Sequence, residues 1–208
     1  MKTGVNLMTK GKKMKIKLLI VSAIGVLLFT ACGEQPVAYG KIDNTPYATK
    51  ECLKELSRGT ELKGPSIDKI VAYKKKRTMY AYANGELMYE FRFSLGKNGD
   101  KGNKVRAGDY RTPEGSYKIV RKKCDNRLYK SLMISYPNAK DKARAAKRGV
   151  SPGGYITIHG QPKWNANGNG DDYTLSQDWT EGCLAVPNAA MDKLWQAVDN
   201  GVQIDIHA

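Results

Sequence analysis

Thr78–Leu95, TMYAYANGELMYEFRFSL, is the stretch on which the fold turns. Met79, Ala81 and Ala83 alternate with Tyr80 and Tyr82, and Glu86 to Leu95 reads as the strand returning after Asn84-Gly85. Asn-Gly is the dipeptide that accepts positive φ at both centres of a two-residue hairpin turn, so the stretch predicts a β-hairpin. Working upstream, Ile67, Ile70 and Ala72 begin the same period-two pattern. Downstream, a turn-rich segment from Gly96 to Gly108 leads to Thr112-Pro113-Glu114-Gly115, a fixed turn supporting the strand Ser116–Val120 that bears Tyr117. Further short strands are predicted at Met133–Tyr136, Tyr155–Ile158 and Val202–Ile206.

Helical spacing is confined to three places. Residues 49–58, TKECLKELSR, put Cys52, Leu53 and Leu56 on one face. Asn138 is placed to cap a helix running to Arg148, which Gly149 stops. Met191, Leu194, Trp195 and Val198 recur at helical spacing, with Gly201 as the expected terminator. The sum is a mainly β domain over residues 67–208 with helices at its periphery, and no internal repeat.

The N-terminal residues carry a different message. Residues 1–31 hold six lysines and no acid, then an apolar run from Leu18 to Phe29 and Thr30-Ala31-Cys32-Gly33, the order of an export signal. The run is shorter than the roughly 20 apolar residues of a permanent spanning helix. Cys32 directly after Leu28-Phe29-Thr30-Ala31 resembles a bacterial lipobox, in which the cysteine takes lipid and heads the mature chain. An ordinary cleaved signal and an uncleaved anchor are the alternatives, and Met14 heads a compact signal of its own. Residues 32–66 then make a tether and a short helix. The expected location is the periplasmic side of the cell envelope; Gly33, not Asp, after the lipid-bearing cysteine tilts it towards the outer membrane.

The whole chain has a formal net charge of +15, and loss of residues 1–31 leaves it about +9. The basic residues are dispersed and no nucleic-acid motif accompanies them, so nucleic acid is not an expected partner. Solubility or attraction to an anionic wall or membrane surface accounts for the charge. Cys52 and Cys124 are either one disulfide or two buried thiols. No CxxC or CxxH spacing is present, and Asn167-Gly-Asn-Gly-Asp-Asp172 lacks the remaining calcium ligands of an EF-hand loop, so neither metal nor cofactor is expected. Nothing in the sequence fixes an oligomeric state.

Cys183 remains, on a glycine turn in DWTEGCLAV, residues 178–186, between a polar loop and an apolar Leu-Ala-Val run. A thiolate is a strong nucleophile, and an imidazole is the usual means of generating it at neutral pH. Of the two histidines, His207 adjoins the C-terminus, whereas His159 ends the strand Ile156-Thr-Ile158 and precedes Gly160. Cys183 and His159 are therefore the candidate nucleophile and base.

Here the residues resemble a family. His159-Gly160 followed by Thr180-Glu181-Gly182-Cys183 is similar to the signature of the L,D-transpeptidases, the YkuD-type cysteine enzymes of peptidoglycan. Gly108-Asp-Tyr-Arg-Thr-Pro-Glu-Gly-Ser-Tyr117 resembles the family's GD-x-x-TPEG-x-Y segment. Ile134–Asn138 and Gly153–Gly160 resemble its murein YafK-like branch, the similarity covering roughly residues 68–206. The resemblance implies a YkuD-like β-sandwich or barrel. It implies that Cys183 is acylated by a tetrapeptide stem at its diamino acid, that His159 is the base, and that the Gly160 carbonyl orients the imidazole. It further implies that amides around Gly182 and Cys183 hold the oxyanion. Thr180, Tyr155, Trp164 and Arg111 are candidate substrate contacts, the Thr180 hydroxyl either shaping the cysteine loop or making a simple turn hydrogen bond. Lys104 and Arg106 share with Arg111 the choice between binding stem carboxylates and forming a solvated edge. Trp179 and Trp195 are expected to pack. The loop from Gln161 to Asp178 suits a mobile lid.

The chain departs from the family pattern at Glu181 and Ala185, where many members carry a second histidine and an Arg or Asn. Three functions stay open: transpeptidation for wall cross-linking or exchange, hydrolysis at the same site, and a wall-binding module with a dead site. Retention of both Cys183 and His159 speaks against the last.

Overall fold

The computed structural model describes residues 49–58 and 64–208. The expected export signal, Cys32 and residues 33–48 and 59–63 of the expected tether lie outside the described residues. Eight strands form one curled sheet: β1 (Ile67–Tyr73), β2 (Thr78–Ala83), β3 (Glu86–Arg92), β4 (Gly115–Asp125), β5 (Tyr129–Ile134), β6 (Thr157–His159), β7 (Leu184–Ala185) and β8 (Val198–His207). Their spatial order is β3-β2-β1-β8-β4-β5-β6-β7, antiparallel except for the parallel pairs β1/β8 and β6/β7. Four helices accompany them: α1 (Thr49–Ser57), α2 (Ala139–Ala146), α3 (Asp171–Leu175) and α4 (Asn188–Ala197).

The predicted hairpin is present. Asn84 and Gly85 both have positive φ, 52° and 83°, and β2 buries Met79, Ala81 and Ala83 in strict alternation. Beyond β3, Ser94 exchanges hydrogen bonds of 2.8 and 2.9 Å with Ala185 in β7, so the two ends of the sheet meet. β4 makes the curl possible. Its first half pairs with β8 and its second with β5, and a register shift between Ile119 and Arg121 bends it, as an extra residue in a ladder does.

α4 packs against β5 and buries Met191, Leu194 and Trp195, the spacing read from the sequence. Full burial of Met191 and of Leu194 stabilises by roughly 1.5–3 kcal/mol each. The helix does not run to Gly201. It ends at Ala197, where β-branched Val198 turns extended and the Lys122 ammonium takes the Trp195 carbonyl at 2.7 Å. A cation satisfying a terminal carbonyl is a good stop. Gly201, at φ 95°, instead serves β8, whose pairing with β1 slips between Val198 and Gln203. β8 and β4 are accordingly longer than their predicted cores of five residues.

α2 forms as expected. Asn138 and Asp141 make a reciprocal capping box, and Gly149 closes the end at φ 63°. α1 is also present, but Leu53 is 54% exposed, so only Cys52 and Leu56 face inward. The cysteine alternative resolves to a disulfide between Cys52 and Cys124, which with an ion pair from Glu55 to Lys130 fastens α1 to the β4–β5 hairpin.

Candidate functional site

β6 and β7 lie side by side and carry the two candidate residues to one end. Thr157, Ile158 and His159 form β6, paired with β5 on one side and β7 on the other; Cys183 immediately precedes β7. His159 is buried, while Cys183 is half-buried at the floor of a cleft of about 840 Å³. The His159 ring is fixed at one edge. Nδ1 lies 2.7 Å from the Gly160 carbonyl oxygen, which can only accept, so Nδ1 carries the proton. The remaining nitrogen is left to Cys183, with which the imidazole interacts electrostatically.

That pairing sets the charges. Burial alone pushes the Cys183 thiol up, but the hydrogen bond and charge of His159, with donors from Thr157, more than reverse it and leave the thiol below its ordinary range. Burial likewise presses the imidazole down, and Cys183, the Gly160 carbonyl and the charge of Asp125 carry it above its usual value. Opposite charge and hydrogen bonding favour the ionised form of each group, so the pair is shifted towards a thiolate and an imidazolium.

The turn before Cys183 is built from close packing. Gly182 has φ 131°, and a Cβ there would lie 2.7 Å from the Arg111 carbonyl oxygen. Gly96 sits against it, since a Cβ on Gly96 would reach the Gly182 Cα at 2.8 Å. Thr180 clamps the loop: its hydroxyl donates to the Cys183 carbonyl at 2.8 Å and accepts from the Gly182 N–H at 3.1 Å. The chain before it is anchored by Asp178, which accepts from the Leu95 N–H at 3.0 Å and pairs with Arg77.

Gly160 has its own reason to be glycine, because a Cβ would lie 2.5 Å from the Asn188 Oδ1. Tyr155 is 81% exposed on the cleft wall, with φ 57°, and its carbonyl oxygen lies 3.7 Å from the Cys183 sulfur. Positive φ is costly for an aromatic residue and marks a locally constrained backbone. Trp164 also lines the cleft, on a short 3-10 turn over Lys163–Asn165.

Not every expected contact joins them. Arg111 does not line the cleft; its guanidinium reaches the Asn103 carbonyl at 3.4 Å. Lys104 does line it but is no solvated edge, since it forms a buried ion pair of 2.7 Å with Asp109. Arg106 is exposed. The Gln161–Asp178 segment is folded, with α3 and a buried Asn165 that accepts from the Gly170 N–H at 2.7 Å and donates to Asp171 at 2.9 Å.

Thr157 carried no expectation from the sequence, and Trp179 was expected only to pack. Thr157 donates its hydroxyl towards the Cys183 sulfur at 3.6 Å, and it stands two positions before His159 on the same face of β6, a relation that period-two spacing makes visible. Trp179 sets its ring edge-to-face on His159 at 5.6 Å and forms part of the cleft wall, so it does more than pack. Trp195, by contrast, is fully buried, as expected.

Known proteins are similar to this chain. YafK of Escherichia coli strain K12, provisionally named an L,D-transpeptidase, is 31% identical over 134 residues, 62% of this chain and 46% of YafK. The same figures hold for YafK of E. coli O157:H7, and the chain spans about half the length of these curated relatives. Pgp2 of Campylobacter jejuni, a helical cell shape determining protein, superposes with a TM-score of 0.51 at 22% identity, covering 77% of this chain and 56% of Pgp2. A point mutant of Pgp2 gives 0.50 at 25% identity, over 73% and 52%. A family model described as the L,D-transpeptidase catalytic domain, YkuD, matches residues 67–206, from the start of β1 into β8 with Cys183 and His159 inside it, and the chain belongs to that family.

Proposed function

We propose that this protein is a peptidoglycan acyl transferase that uses Cys183 as nucleophile and His159 as its proton carrier. The observation that carries this reading is one imidazole with Nδ1 held on the Gly160 carbonyl at 2.7 Å and its charge coupled to the Cys183 thiol, inside an open cleft. The Cys183 thiolate attacks the carbonyl carbon of the donor peptide bond, forming a C–S bond and moving the π electrons onto oxygen. The His159 imidazolium then protonates the leaving amine as the C–N bond breaks, which leaves a thioester and a neutral imidazole. An acceptor amine attacks the thioester, His159 takes its proton, and the thiolate departs.

We assign the oxyanion to the N–H of Cys183 itself, because the Gly182 N–H is already donated to Thr180. Thr157 and Trp179 hold the reacting pair, and Tyr155 and Trp164 wall the cleft. The donor is a tetrapeptide stem whose third residue is a diamino acid, with release of terminal D-Ala. Export of residues 32–208 with lipid on Cys32 would bring the site to that polymer.

The test uses the purified protein and its Cys183→Ala form, incubated with tetrapeptide muropeptides and a free D-amino acid. Exchange of the terminal D-Ala, with an acyl mass adduct only on the cysteine form, is the expected result. Shortened stems without exchange would make water the acceptor and the protein a hydrolase. Identical blanks from both forms would end the enzymatic reading and leave a wall-binding module.

A further inference from the structure

The β4–β5 hairpin receives more fastening than a surface hairpin of three loop residues needs. Cys124, in the last turn of β4, is bonded to Cys52 of α1, and Lys130 on the returning strand pairs with Glu55 and with Asp192. Between them, one carboxylate oxygen of Asp125 accepts from the N–H groups of Arg127 and Leu128 at 2.9 and 3.0 Å, which fixes the turn from within. Asn126, Arg127 and Leu128, the tip so held, line the same cleft as Cys183 and His159. A cross-linked hairpin presents a side chain to a ligand with little loss of freedom on binding.

Arg127 is the charge that this tip carries into the cleft. Of the cleft's other basic residues, Lys104 is neutralised by Asp109 at 2.7 Å, and Lys163 has a contact of its own within the protein. The Arg127 guanidinium has no partner among the described residues, since only its backbone N–H is bonded. The neighbouring Asp125 carboxylate is taken up by the two turn amides and Lys123, so it does not neutralise the guanidinium. Glu181, on the cysteine loop, is an exposed acid of the same cleft. Among the described residues, the Arg127 guanidinium on the hairpin is a cation that an anionic ligand in this cleft finds open.

We propose that Arg127 binds a carboxylate of the peptide donor, making the hairpin tip the element that selects acidic stems over their amidated forms. This rests on the acyl-transfer reading for the identity of the donor. A guanidinium matches a carboxylate with two parallel N–H donors, a geometry that an amide cannot return. Two carboxylates of the donor share this chemistry, one at the terminal D-Ala and one on the diamino acid.

The experiment measures binding of three peptides to the Cys183→Ala protein by calorimetry: the free tetrapeptide, its C-terminal amide, and the form amidated on the diamino acid. The same is done for the variant carrying Arg127→Gln as well, with turnover followed in parallel on the cysteine forms. A charge-assisted bond contributes roughly 1.5–3 kcal/mol, so Arg127→Gln is expected to weaken the free tetrapeptide about 10- to 100-fold. The peptide lacking the bound carboxylate should change less than about twofold, which identifies the partner. Arg127→Lys should restore part of the discrimination, and Glu181→Gln should leave it in place. Equal weakening of all three peptides, or none, overturns the proposal. Discrimination in binding without turnover by the cysteine form would keep the carboxylate site and refute the acyl-transfer reading, while no binding of any peptide would refute both.

Discussion

Replacing Cys52 and Cys124 together by alanine should cost the fold about 4 kcal/mol. The bridge joins residues 72 positions apart, and closing a loop of that length in the unfolded chain removes about 15 cal/mol/K of entropy, or about 4 kcal/mol at 25 °C. Alanine is the better replacement than serine, because both sulfurs are buried and a hydroxyl there would need a hydrogen-bond partner. With a urea dependence of roughly 2 kcal/mol/M for a domain of this size, the unfolding midpoint should fall by about 2 M. Fluorescence of the buried Trp195 follows the transition, and the wild-type protein in dithiothreitol should lose the same amount. A midpoint shift below about 0.5 M in both cases would show that α1 and the hairpin hold together without the bridge and that loop closure is not what stabilises them.

Three further outcomes are expected. Gly182→Ala adds a Cβ 2.7 Å from the Arg111 carbonyl oxygen at φ 131°, a strain of roughly 1–3 kcal/mol that displaces Cys183; turnover should fall by about 100-fold or more while the melting temperature drops less than about 10 °C, and full activity would contradict the packing described. His159→Gln should move alkylation of Cys183 by iodoacetamide to alkaline pH, because the wild-type thiolate persists below the ordinary thiol range and is lost only as pH falls through its depressed value; superimposable pH profiles would deny His159 that influence. Asp109 resists the upward push of burial through Lys104 and three backbone N–H groups, which hold its carboxyl below the usual range. Its contribution is therefore present above the ordinary carboxylate range and lost as pH falls through the depressed value; Asp109→Asn should remove it and strand Lys104, at a cost of about 3 kcal/mol by denaturant unfolding, and an unchanged midpoint would count against the buried pair.

The local signals were legible where one residue type has one use. Asn84-Gly85 gave the hairpin, Asn138 and Gly149 bounded α2, and Met191, Leu194 and Trp195 marked the buried face of α4. Gly201 misled because a glycine that can end a helix can equally sit in an irregular strand, and the choice was made by Lys122, distant in sequence, at the carbonyl of Trp195. Cys183 and His159 stood out by their chemistry. Lys104 and Arg111 were ambiguous for a general reason: a cation's meaning depends on which acceptor the fold delivers, and Asp109 and the Asn103 carbonyl are delivered by the shape of a loop that has no periodicity. Trp179 was underestimated because it sits in a loop and its partner, the His159 ring, lies on β6, distant in sequence. The contact between Gly96 and Gly182 left no sequence signal, as it exists only where the two ends of the sheet meet.

The placement of β8 has a consequence for when the protein becomes chemically active. β8 lies between β1 and β4, so it is the seam that joins the β1–β3 meander to the β4–β7 half. Until residues 198–207 are in register, the two halves are separate sheets with bare edges, and Ser94 has no fixed neighbour against which to set β7. The nucleophile precedes β7, and β8 follows it in the chain, so the thiol is synthesised before the seam that gives it a site. An emerging chain thus carries Cys183 as an ordinary thiol, and its acidity is set with closure. A protein clipped between α4 and β8 should retain its sulfhydryl and lose its acidity together with the fold.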